Sequence, residues 1–114
     1  MQVQITTDNH IKNGGHLTSD VTSAIQSSLG RFQDQATRVE VHLSDTNGPK
    51  GGVDKRCVIE VRLAGRQPVA AAHEGETIME SVRGAADKLE RNLSKIADRQ
   101  SDHKGRASLG EPVE

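Results

Sequence analysis

The stretch AADKLERNLSKI, residues 85–96, sorts apolar, basic and acidic side chains onto separate sides of one helix. At about 100° per residue, the apolar positions line up on one side, which is typical of a helix packed against a core. Basic residues fall within an arc of roughly 80° on another side, and acidic residues share the remaining sector. The apolar side consists of Ile78, Val82, Ala86, Leu89, Leu93 and Ile96. The basic residues, which together form the basic stripe, are Lys88, Arg91, Lys95 and Arg99. A basic edge of this kind suits a polyanion.

Other periodicities predict the elements that surround this helix. Residues 1–6, 38–44 and 55–63 alternate apolar and polar side chains, which is the period of strands with one buried face. From Leu17 to Phe32 the apolar spacing becomes helical, and residues 68–73 form a weak, alanine-rich edge strand. Thr77 and Glu80 fit a capping box at the start of the last helix.

The order of these elements predicts an α+β fold, βαβββα. A helix between the first two strands allows a parallel crossover, and the shorter later links allow antiparallel pairing. We therefore expect a four-stranded mixed sheet with two helices packed on one face and a solvated opposite face. We expect the domain to span residues 1–100. Residues 101–114 contain two glycines, one proline and mixed charges, and we expect them to be a disordered tail.

Composition limits the classes of function. With 114 residues, 32% apolar residues and Phe32 as the sole aromatic, the chain predicts one domain whose core is mainly aliphatic. The net charge of −1 argues against nucleic-acid binding by bulk positive charge alone, so such binding must depend on local sorting of charge. The single cysteine excludes an intramolecular disulfide. Because no leader or membrane span is evident, we expect a cytoplasmic protein that does not bind membranes.

Residues that could support catalysis or metal binding do not converge. The strand phases direct Cys57 to the core and His42 to solvent, so they cannot form a nucleophile–base pair or share a metal. Glu40 and Glu60 lie on an open sheet face, where ion pairing across strands is the simpler role. Neither glycine pair, at 14–15 or 51–52, precedes a Lys-Ser/Thr pair typical of nucleotide loops. We expect no enzymatic activity, metal, cofactor or small-molecule substrate.

The element order, the strand RVEVHLS at residues 38–44 and the segment DKLERNLSK at 87–95 together resemble the ribosome hibernation-promoting factor family. This family is also called ribosome-associated inhibitor A or sigma-54 modulation protein. The resemblance covers about residues 1–100, and the run DKRCVIE at 54–60 resembles a subgroup hallmark. It implies a short-form bacterial factor that binds the small ribosomal subunit in the cleft where messenger and transfer RNA meet. There it would sterically block translation under stress or in stationary phase.

The resemblance also implies the residues of an RNA-binding site. In the family the basic helix edges face ribosomal RNA, and the matching positions here are Lys88, Arg91 and Lys95. The basic stripe adds Arg99, and Arg31, Lys50, Lys55 and Arg56 are candidates for supporting contacts. The chain departs from the family at the end of the first helix, which is usually rich in Lys and Arg but offers only Arg31 here. We expect the protein to be monomeric off the ribosome.

Two alternatives remain open at this point. The basic stripe could be a solvated face with ion pairs at helix spacing, such as Asp87–Arg91. Gly84, one turn before Lys88, favours RNA because a missing side chain lets a phosphate backbone approach. The second alternative is a protein-interaction module of the same fold that uses the open sheet face around His42 and Arg62, together with Val58, and does not bind RNA.

Overall fold

The computed structural model describes residues 1–8, 11, 15–45 and 55–109, with side chains in the last helix described as far as residue 98. The predicted element order is confirmed. The elements are β1 (Gln2–Thr7), α1 (Gly15–Leu29), a 3₁₀ turn (Gly30–Phe32), β2 (Ala36–Asp45), β3 (Lys55–Leu63), β4 (Val69–Gly75) and α2 (Ile78–Leu109).

The four strands form one mixed sheet in the order β1-β2-β3-β4. β1 runs parallel to β2, with Val3 opposite Val39. The strands can be parallel because α1 carries the chain back to the end of the sheet at which β1 begins. The other two pairs are antiparallel, and Ile59 lies opposite Val41 on one side and Ala71 on the other. The predicted mixed sheet is therefore confirmed, with β1 and β4 as its edges.

One face of the sheet and the two helices enclose the core. α2 packs on β3 and β4, and α1 packs beside α2. Leu89 is fully buried, and burial of one such side chain stabilises the fold by about 1.5–3 kcal/mol. The largest fully buried apolar side chains are Val21, Ile25, Leu29, Val39, Val41, Ile59, Val61, Val82 and Leu89. The aliphatic core expected from the composition is thus present.

The start of α2 is fixed by the predicted capping box. The backbone N–H of Glu80 donates to Thr77 Oγ1 at 3.1 Å, and Glu80 Oε1 accepts from the backbone N–H of Glu76 at 2.9 Å. The second bond reaches one residue further back than in the usual box. Gly75 is the last residue of β4, and a Cβ atom at this position would lie 2.8 Å from Glu80 Cβ, too close for a larger residue. The turn from β4 into α2 is therefore tight.

The end of α2 differs from the sequence-based expectation. The helix continues to Leu109, nine residues beyond Gln100, where the helical pattern was expected to stop. Residues 101–109, SDHKGRASL, lack proline, and Gly105 is their one strongly unfavourable residue for a helix. Residues 110–114 lie outside the described part of the chain, and so does the loop 46–54 with Lys50.

A close approach between α2 and β4 occurs at Gly84. A Cβ atom built on Gly84 would overlap three atoms of the His73 imidazole ring. His73 projects from β4 onto the helix side of the sheet, opposite the buried Cys57. The expectation that a phosphate backbone approaches at Gly84 is therefore wrong, because the imidazole ring already fills that space.

We expect Gly84→Ala to destabilise the protein by about 1–3 kcal/mol, the usual effect of overpacking. In an ordinary helix interior the same change stabilises by about 1 kcal/mol. Urea unfolding of Gly84→Ala, His73→Ala and the double variant measures the coupling. In the His73→Ala background the loss should largely disappear. An increase in stability when His73 is present would show that the ring does not occupy the Gly84 position.

Candidate nucleic-acid interface

The basic stripe begins against β4 rather than in open solvent. Lys88 Nζ donates to the backbone carbonyl of Ala72 at 3.1 Å, which places the Lys88 side chain along the outer edge of β4. Gly84, one turn earlier, lies under the His73 ring. Lys88 is exposed but already has one partner, so it is less available to an RNA phosphate than the helical wheel indicates.

The next turn of the stripe carries the available cations. Arg91 and Lys95 are both exposed, and neither forms a hydrogen bond or ion pair with any residue that the structure describes. The Asp87–Arg91 pair that a self-neutralised helix face would require is not formed within that part of the chain. Arg99 lies on the same helix, although its side chain is outside the described part.

Arg31, from the 3₁₀ turn after α1, reaches the same part of α2. Its Nη2 donates to Ser94 Oγ at 2.6 Å, and its Nε lies 3.8 Å from Glu90 Oε2. Its guanidinium carbon is 4.7 Å from the centre of the Phe32 ring, within the range of a cation–π contact. Ser94 lies three residues after Arg91 and therefore neighbours it on the helix surface, so Arg31 contacts the side of α2 next to Arg91.

Lys55 and Arg56 do not join this group. Lys55 Nζ lies 3.2 Å from the carboxylate of Asp45, which is buried at the end of β2. Arg56 lies on the opposite face of the sheet, where its Nη1 is 3.4 Å from Glu74 Oε2. Arg31 therefore contacts the helix that carries Arg91 and Lys95, with Ser94 and Glu90 as its neighbours, whereas Lys55 and Arg56 lie on β3 with acidic partners.

The face of the sheet that the helices leave open pairs its charges internally. The Glu40 carboxylate lies 3.2 Å from Arg38 Nε, 3.6 Å from His42 Nε2 and 3.9 Å from Arg62 Nε. Arg62 Nη2 also lies 3.9 Å from Glu60 Oε1. Such exposed pairs add about 0–1 kcal/mol each to stability, and they leave this face without a surplus of either charge. The ion pairing expected for Glu40 and Glu60 is confirmed.

A groove lies between the two helices, on the other side of the sheet from this face. It has a volume of about 580 Å³. It is lined by Asp20, Ser23, Ala24, Ser27, Ser28, Met79, Arg83 and Asp87. Two carboxylates and one guanidinium make the groove slightly acidic, in contrast to the basic group one turn further along α2. The groove therefore differs in charge from the basic stripe on the next turns of α2, which carries Arg91 and Lys95.

Among the residues that the structure describes, the remaining chemistry-bearing side chains form no centre. Cys57 is fully buried, and desolvation raises the pKa of its thiol from 9.0 to about 12. At neutral pH it is therefore a protonated core residue rather than a nucleophile. Within the described residues, no group of three or more His, Cys, Asp or Glu side chains could hold a metal ion. No helix in that part of the chain has the length and apolar character that a membrane span requires.

Comparisons with known proteins identify relatives of this fold. A family model described as sigma 54 modulation protein / S30EA ribosomal protein matches residues 3–101. A ribosomal subunit interface protein from Coxiella burnetii has 19% identity and a TM-score of 0.70, over 86% of this chain and 99% of that chain. The N-terminal domain of Protein Y from Thermus thermophilus has 21% identity and a TM-score of 0.68, over 84% and 99%. At these identities the two structures show the fold alone. No curated protein matches the sequence significantly.

The raised pKa of Cys57 gives the stability a pH dependence that can be measured. Between about pH 9 and pH 12 the unfolded chain has lost the thiol proton while the folded chain keeps it, so stability falls as pH rises. The slope contributed by Cys57 is at most about 1.4 kcal/mol per pH unit. Urea unfolding near pH 8 and near pH 10.5 should show a larger loss in the wild type than in Cys57→Ala. Equal losses in the two proteins would show that Cys57 is not desolvated.

Proposed function

The chain belongs to the sigma 54 modulation protein / S30EA ribosomal protein family, and we propose that it inhibits translation by occupying the small ribosomal subunit. Its binding place would be the cleft where messenger and transfer RNA meet, and it would act there as a monomer. A folded domain held in that cleft excludes both RNAs sterically. The proposed mechanism therefore requires no catalysis, metal or cofactor, and its setting is the cytoplasm during stress or stationary phase.

The observation that carries the RNA part of this proposal is the pair Arg91 and Lys95. Both are exposed and have no partner within the described residues, and both lie on the helix segment that resembles the family most closely. Arg31 adds a third cation from another element. Three phosphate contacts would make binding clearly salt-dependent, because each contact releases counterions from the RNA.

The other basic candidates have supporting roles in this proposal. Lys88 can leave the Ala72 carbonyl or keep it while its remaining N–H groups face RNA. Arg99 would extend the basic stripe by one more turn. Lys50, Lys55 and Arg56 would meet a second stretch of RNA. Because Lys55 and Arg56 already face acidic side chains, we expect them to contribute less than Arg91 and Lys95.

The RNA would be recognised by shape and phosphate positions rather than by base stacking. Phe32, the sole aromatic of the chain, is 4% exposed and lies beneath the Arg31 guanidinium. No Tyr or Trp is present to stack on a base. The protein-interaction alternative depends on the open sheet face, where the charges are already paired with one another.

We expect Arg91→Glu with Lys95→Glu to abolish binding to purified small subunits at moderate salt. Reversing two of three phosphate contacts replaces attraction with repulsion and flattens the salt dependence of what remains. Co-sedimentation across a salt series measures both the affinity and its slope. The wild type should pellet with the subunit at low salt and be released progressively as salt rises.

The matched control is Arg62→Glu with Arg66→Glu, which changes the net charge equally on the open sheet face and the turn after β3. It should bind like the wild type, and circular dichroism confirms that both variants are folded. Two results would contradict the proposal. The wild type could fail to pellet at low salt, or the control could lose binding while the α2 variant keeps it, which would favour the protein-interaction alternative.

A further inference from the structure

We infer that Ser94 is a positioning residue for RNA binding, because its hydroxyl holds the Arg31 guanidinium against α2, the helix that carries Arg91 and Lys95. The inference rests on the proposed function and assigns a role to an uncharged residue within it. Ser94 accepts the hydrogen bond from Arg31 Nη2 at 2.6 Å and donates to Glu90 Oε2 at 2.9 Å. One half-buried hydroxyl thus joins a residue of the first helical region to the second helix.

The directions of the two hydrogen bonds give Ser94 and Glu90 different roles. A hydroxyl has one proton and two acceptor lone pairs, so donation to Glu90 turns the lone pairs toward Arg31. Glu90 and Ser94 are four residues apart and therefore lie on one side of α2. The carboxylate itself is 3.8 Å from Arg31 Nε, beyond hydrogen-bond distance. Ser94 is accordingly the direct partner of Arg31, and Glu90 orients Ser94.

The ring of Phe32 supports the guanidinium from another side. Phe32 is buried, so the ring is held by the core, and the guanidinium carbon lies 4.7 Å from its centre. The Arg31 side chain nevertheless keeps 58% of its surface exposed. Because a guanidinium has five N–H donors and Ser94 uses one, enough donors remain for a bidentate contact with a phosphate.

Holding Arg31 in place matters because this chain has few cations at the end of its first helix. A long side chain that is free in solution loses rotamer freedom when it binds, and this loss weakens the complex. Ser94 and Phe32 restrict Arg31 before RNA arrives, so less rotamer freedom is lost when it binds a phosphate. The hydrogen bond thus ties Arg31 to a residue of α2 that lies 63 positions later in the sequence.

The test compares Ser94→Ala with Arg31→Ala in binding of the full chain to purified small subunits across a salt series. Arg31→Ala should lower the affinity and reduce the salt slope by about 0.7–0.9, the value for one phosphate contact. Ser94→Ala should lower the affinity about 3- to 10-fold, the range for freeing one long side chain, and leave the slope unchanged. The unchanged slope separates a positioning role from loss of a charge.

Further variants test whether Ser94 acts through Arg31. Ser94→Thr keeps the hydroxyl and should restore wild-type affinity, and Ser94→Ala should cause no further loss in the Arg31→Ala background. Ser23→Ala, the same change in the groove away from Arg31, is the matched control and should bind normally. In the free protein, the Arg31 Nε–Hε group should be ordered by NMR in the wild type and mobile in Ser94→Ala.

The outcomes separate this inference from the proposed function. If Arg31→Ala weakens binding but Ser94→Ala does not, the positioning role is wrong and the proposed function stands. If the Arg31 Nε–Hε group is equally mobile in wild type and Ser94→Ala, the positioning role is likewise wrong. If the wild type does not bind the subunit at all, the proposed function fails and this inference fails with it.

Discussion

The packing of the apolar side of α2 on β3 and β4 decides where every charge on that helix points. Leu89 and Val82 are fully buried, so the helix cannot rotate without exposing them. The His73 ring fills the space over Gly84 and brings the first turns of α2 close to β4. As a result Lys88 meets the edge of the sheet, whereas Arg91 and Lys95 reach solvent one and two turns later. The packing of α2 on β3 and β4 thus decides that Lys88 contacts the protein itself, whereas Arg91 and Lys95 are exposed to a partner.

This separation explains how a chain with a net charge of −1 can offer a surface for a polyanion. The open sheet face pairs its arginines with Glu40, Glu60 and Glu74, and the groove between the helices is weakly acidic. On α2, Arg91 and Lys95 are exposed without a described partner on the basic stripe, and Arg83, which also has no described partner, lines the weakly acidic groove. Local sorting on that scale acts over a few ångströms and is screened beyond about 10 Å at ordinary salt. The surface therefore suits close phosphate contacts rather than long-range attraction.

Much of the fold could be predicted from the sequence because it follows from local periodicity. The alternation in β2 and β3, the helical spacing in α2 and the Thr77–Glu80 capping box each lie within a few residues of chain. The family resemblance was confirmed as well. The candidate site was harder to predict, because a helical wheel gives the angle of Lys88 around the helix but not its contact with the Ala72 carbonyl. The Arg31–Ser94 contact joins residues that only the finished fold brings together. The sequence signal that could have suggested it is the lone arginine at the end of a charge-poor helix.

The most direct test of the central claim is site-specific photocrosslinking on the small ribosomal subunit. A photoreactive amino acid at the exposed position of Asn92, between Arg91 and Ser94, reports what the basic half of α2 touches. The same group at Glu60 reports on the open sheet face. We expect crosslinks to ribosomal RNA from position 92 and few from position 60. Crosslinks to RNA from position 60 alone, or only to protein from position 92, would contradict it.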